Sequence, residues 1–135
     1  MLAPHPLISV TDVPASSRFY QEILGAASGH GGEEYEQVIV DGEIVMQIHA
    51  LTVDHHHGPL GDPSLPLGNG LALWFTTEGF DGAVARVRAS GAEIVMDVNV
   101  NPNSGCREIW LRDPDGYLVV VAEPFAPNGR RRETN

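Results

Sequence analysis

The chain has 135 residues, 42% of them hydrophobic, and carries a formal charge of -10 at pH 7. This is the size and apolar content of one globular domain, with no apolar run long enough to cross a bilayer and with a single cysteine, Cys106, that excludes an intrachain disulfide framework. The eight basic residues, all arginine, face 18 acidic ones, a balance that excludes the basic surface needed to grip nucleic-acid phosphates.

In chain order, the N-terminal MLAPHPLISV lacks the basic region that opens a secretory signal, so a cytoplasmic protein is expected. Residues 6–10, PLISV, form a short β-branched strand that stops at Thr11-Asp12. From Pro14 to Leu24 the spacing predicts a helix: Pro14 suits the first turn, Phe19/Ile23 and Tyr20/Leu24 are four apart, and Gly25 ends it. YEQVIVD (35–41) and EIVMQIHAL (43–51) are strands joined at Asp41-Gly42, a pair suited to a tight hairpin turn.

Between 53 and 69 the chain is a loop, first His-rich and then rich in proline and glycine. The order of elements then returns. GLALWFTT (70–77) reads as a strand, and FDGAVARVRAS (80–90) as a helix with Phe80, Val84 and Val87 on one side and Gly91 beyond its end. AEIVMDV (92–98), REIWLRD (107–113) and GYLVVVAEP (116–124) are three further strands, the last two hinged at Asp113-Pro114-Asp115-Gly116. The tail from 125 holds Arg130, Arg131 and Arg132, expected to be a frayed, solvated terminus. At an offset of 66 residues Asp12 overlays Glu78, Gly25 overlays Gly91 and Ala26 overlays Ala92, so two copies of a strand-helix-strand-strand-strand unit are implied, about 5–52 and about 70–124, within one domain.

That duplication, with DVPASSRFYQEILG (12–25) and REIWLRDPDGYLVVVAEP (107–124), resembles the vicinal oxygen chelate superfamily of glyoxalase I, bleomycin-resistance proteins and extradiol dioxygenases. The resemblance implies an α+β fold in which two βαβββ modules curl mixed sheets around a cavity, often completed by a second subunit, so a homodimer is expected. It implies four metal-ligand positions in the glyoxalase-like members. His5 matches the first, and Gln47 or His49, two apart on one strand face, the second. The third falls within Gly70-Leu71-Ala72 and the fourth on Val120, and none of these can ligate. Glyoxalase I chemistry, which needs the complete site, is therefore not expected, and the function expected first is capture of a small organic molecule without a cofactor.

The stretch QIHALTVDHHHGPL (47–60) keeps an alternative open, because His49, Asp54 and His55–His57 are metal-ligand types within nine positions. In that alternative His49, a loop histidine such as His56, and Glu108 hold zinc, nickel, iron or manganese in an enzyme. The cavity candidates are His5, Gln47, His49, Trp74, Glu108 and Trp110. Five of them have a plainer reading: His5 a solvent-edge residue, His49 a hydrogen-bonded cavity histidine, Trp74 and Trp110 core residues, and Glu108 half of an ion pair with Arg107 or Arg112. The polar lead-in NVNPNSGCREIW (99–110) is either a flap over the cavity mouth or an ordinary turn.

Overall fold

The computed structural model describes residues 1–53, 56–130 and 132–133. Contacts divide the chain into two compact units, Met1–Leu67 and Gly68–Asn135. The first holds β1 (Leu7–Val10), α1 (Val13–Leu24), β2 (Ala27–Ser28), β3 (Tyr35–Val40) and β4 (Glu43–Ala50), with sheet order β1-β4-β3-β2. The second holds β5 (Ala72–Thr76), α2 (Phe80–Ser90), β6 (Glu93–Val100), β7 (Arg107–Arg112) and β8 (Leu118–Ala122), with order β5-β8-β7-β6, followed by a short 3-10 turn at Pro127–Gly129. In each unit the strand before the helix runs parallel to the last strand and the other pairings are antiparallel. The fold is thus α+β, with the βαβββ order written twice.

Local chemistry explains the helix ends. The Asp12 side chain accepts a 3.0 Å hydrogen bond from the Ala15 N–H and caps α1, Pro14 occupies the first turn, and Gly25 closes the helix at φ 64°. Asp41 and Gly42 both have positive φ, 51° and 78°, as the two-residue hairpin turn requires. The helix α2 buries Phe80, Ala83 and Val87; Val84, expected on that stripe, is only half-buried, because the i, i+3, i+7 row rather than i+4 meets the sheet.

Each helix covers one face of its own sheet. Ile8, Val10, Val38, Met46 and Ile48 are buried with Val13, Tyr20 and Ile23 of α1, and Leu73, Ile109, Leu111, Val119 and Val121 are buried with the apolar row of α2. Alternation then assigns the intervening residues to the helix-free face. In the first unit these are Leu7, Ser9, Tyr35, Gln37, Gln47 and His49; in the second, Trp74, Val120, Ala122, Glu108, Trp110 and Met96. Register shifts at Val38/Ile39 and along β6 interrupt both hairpins, a device that bends a strand and increases its twist.

Of the two readings of the 99–110 segment the turn is the one formed, and one further expectation is corrected. Asn99 and Val100 belong to β6, and the turn is stapled by Asn101 N–H to Cys106 O at 2.9 Å, Gly105 N–H to Asn101 O at 2.8 Å and Asn103 N–H to the Asn101 side chain at 2.8 Å. The tail does not fray directly after β8: the Phe125 ring stacks on Trp74 at 6.2 Å, and the Arg132 guanidinium reaches Pro124 O at 3.2 Å and Glu123 at 3.9 Å. Arg131 of the expected basic run lies outside the described residues. The two-residue strand β2 has no counterpart among the strands read from the sequence.

Candidate functional site

In the first unit, parallel pairing puts Leu7 beside Gln47 and Ser9 beside His49, and antiparallel pairing puts Tyr35 opposite His49 and Gln37 opposite Gln47. The amide of Gln47 is engaged at both ends. Its Oε1 accepts from the Tyr35 hydroxyl at 2.7 Å and its Nε2 donates to His5 O at 3.1 Å. His5 contributes that carbonyl while its side chain is exposed, so the position matched to a first metal ligand acts here through its backbone.

His49 is buried, with Nδ1 2.7 Å from Ala50 O. A carbonyl only accepts, so Nδ1 is the donor in this bond. The edge of His57 meets His49 at 5.0 Å, and His56 meets His57 at 5.1 Å. His57 therefore lies against the end of β4, and Leu7, Tyr35, His49, His56 and His57 line a hollow of about 340 Å³. Asp54 and His55, also singled out from the sequence, lie outside the described residues. Among the described residues no three His, Cys, Asp or Glu side chains are disposed to hold one ion.

In the second unit, Trp110 and Trp74 both pair with Val120, one from each side, and their rings meet edge to face at 5.8 Å, 87° between planes. Trp74 is thus on the helix-free face and not in the α2 core. Its Nε1 is buried without a hydrogen-bond partner among the described residues. Glu108 is only 3% exposed; its Oε1 accepts from Trp110 Nε1 at 2.9 Å and its Oε2 from Asn101 Nδ2 at 3.2 Å. The expected ion pair with Arg107 or Arg112 is not what the fold makes. Arg107, adjacent on the strand, points to the opposite face, where it meets Asp81 at 2.9 Å and Glu123 at 3.5 Å and lies 4.8 Å over Phe80. Arg112 shares the Glu108 face but is four residues along, about 13 Å of strand, and donates to Gly116 O at 3.0 Å.

The glyoxalase-like ligand positions do not fit a metal. Gln47 is occupied by Tyr35 and His5, Val120 is a fully buried hydrocarbon between two indoles, and Ala72 has no donor. Sequence reasoning missed Tyr35, Leu7 and Phe125 as wall residues. It also missed Glu36, buried on the helix side of β3, where five donors converge: Ser17 Oγ at 2.8 Å, Ser28 Oγ at 2.7 Å, and the N–H groups of His30, Gly31 and Gln37 at 3.1, 2.8 and 2.9 Å. Burial alone pushes this carboxyl up, but the bonds from Ser28, Gly31, Ser17 and His30 outweigh it and hold it at about 2. A charge inside the apolar alternation of 35–40 was the available signal.

The model of the family described as Glyoxalase/Bleomycin resistance protein/Dioxygenase superfamily matches residues 3–121. No curated protein matches. Among solved structures, a protein of unknown function from Agrobacterium tumefaciens is 21% identical, with 93% of this chain and 95% of that chain covered and a TM-score of 0.71. The oxidase ChaP-H1 is 22% identical over 92% and 96%, TM-score 0.67, and the genomically encoded fosfomycin resistance protein FosX from Listeria monocytogenes is 17% identical over 96% and 98%, TM-score 0.64. At these identities the structures speak for the fold, and it is the family match over residues 3–121, on a twice-written βαβββ order, that decides: the chain belongs to the glyoxalase/bleomycin resistance protein/dioxygenase superfamily.

Proposed function

We propose that the protein binds a small organic molecule against the helix-free faces of its sheets, as a bleomycin-resistance-like homodimer that needs no metal. The observation that carries this reading is the make-up of the second unit's face. The strand positions where a metal-dependent relative needs donors hold Ala72 and Val120, flanked instead by two indoles and a tethered carboxylate. Aromatic walls with a few oriented polar groups are the furniture of small-ligand sites, and capture requires complementarity without turnover. The hollow against Leu7, Tyr35 and His49 supplies a second apolar surface with a histidine edge.

One observation favours a metal-dependent alternative at His49: its Nδ1 lies against a backbone carbonyl, the bond that orients metal-bound imidazoles. Metal content and thermal unfolding separate the two. Capture predicts purified protein without stoichiometric metal and a melting temperature unmoved by added zinc, nickel, iron or manganese. Stoichiometric metal that disappears in His49→Ala would instead establish the alternative. Light scattering on the same sample tests the expected dimer.

A further inference from the structure

Resting on the reading that the second unit's helix-free face binds a small molecule, we propose that this site selects an organic cation, a flat ring system bearing positive charge, with Glu108 as the counter-ion. Glu108 is 3% exposed, and both of its described partners, Trp110 Nε1 and Asn101 Nδ2, are neutral. An ionised carboxylate withdrawn from water is costly unless a countercharge meets it. Among the described residues of this sheet none supplies one: the chain has no lysine, Arg107 is committed to Asp81 and Glu123 on the other face, and Arg112 is turned to Gly116 O. Two neutral donors also leave part of the carboxylate's roughly four lone-pair sites unused.

The surroundings favour the same charge. Trp110, which donates to the carboxylate, stands perpendicular to Trp74 at 5.8 Å, and Phe125 stacks on Trp74. The faces of such rings carry negative quadrupole density, which attracts cations and is strongest for indole. An anion would meet the carboxylate and the -10 charge of the whole chain; a neutral ring would leave Glu108 buried without a countercharge.

The test uses three probes of one shape: 1-methylquinolinium, 1-methylnaphthalene and 1-naphthoate, titrated into the 15N-labelled protein. The protein's two tryptophans give two indole N–H signals, both from this face. The expected result is saturable shifting of both signals by the cation, at least about tenfold more tightly than by the other probes, and loss of that preference in Glu108→Gln. Equal affinity for all three probes in the unaltered protein would overturn the charge selection while leaving small-molecule binding intact. If no probe moves either indole, the binding reading of this face falls, and the proposal with it. The charge series needs no variant, so a Glu108→Gln protein that fails to fold does not remove the test.

Discussion

Glu36 and Glu108 are both acidic, both 3% exposed and both on central or near-central strands, yet they do different work. Glu36 collects four donors from α1, β2 and the 29–34 loop and a fifth from the Gln37 N–H of its own strand, so its charge is consumed in holding that corner together. Its carboxyl lies at about 2 in the folded chain against 4.5 ordinarily. A depressed folded value means the stabilisation is fully present above about pH 4.5 and is lost as pH falls toward about 2, since the unfolded chain binds the proton first. The shift corresponds to on the order of 3 kcal/mol at neutral pH. Denaturant unfolding of Glu36→Gln should show a loss of that order at pH 7, and the gap to the unaltered protein should narrow steadily below about pH 4.5. A gap that stays constant down to about pH 3 would mean that the ionised carboxylate is not what the five donors stabilise.

At the level of elements, the parts of the fold governed by chemistry within a few residues were legible in the sequence: the Asp41-Gly42 turn, the glycines closing α1 and α2, and the Asp113 turn, whose carboxylate accepts from the N–H groups of Asp115 and Tyr117. What depended on pairing was not. A two-residue hairpin at 41–42 starts with Val40 opposite Glu43 and, continued evenly, would set Tyr35 opposite Ile48, on the helix side. The register shift at Val38/Ile39 sets it opposite His49 instead, and Tyr35 becomes a wall of the candidate site. Glu108 shows the converse: strand alternation alone could have ruled out Arg107 as its partner, whereas Asn101 was reachable only through the turn that follows β6. The helix α1 also contains a misfit, for Ser16 is fully buried and its hydroxyl has no partner among the described residues. Ser16→Ala removes an unpaired polar group and introduces the best helix former, so it should stabilise the protein by about 0.5–1.5 kcal/mol in chemical denaturation. A loss of stability there would show that the hydroxyl is hydrogen-bonded in solution.

For the whole molecule, charge is the property that the two units share. The arginines whose partners are described are spent locally: Arg88 on Asp97, Arg107 on Asp81 and Glu123, Arg132 on Glu123. The excess of carboxylates therefore remains as a field at neutral pH, which steers cations toward the surface and strains the folded state by self-repulsion. Salt screens such repulsion over about 10 Å at 0.1 M. Raising NaCl from about 10 to 200 mM at pH 7 should accordingly lift the melting temperature by roughly 2–5 °C, most of it below about 100 mM. Near the isoelectric point of about 4.8 the net charge vanishes, and the same salt step should have little effect. The comparison at two pH values matters because a general salting-out effect raises stability at both and keeps rising with concentration, whereas relief of repulsion saturates and depends on charge. Equal responses at the two pH values would show that the acidic excess is too dispersed to strain the fold. The case for a cation at Glu108 would then stand on the buried carboxylate and its two indoles alone, without help from the field around them.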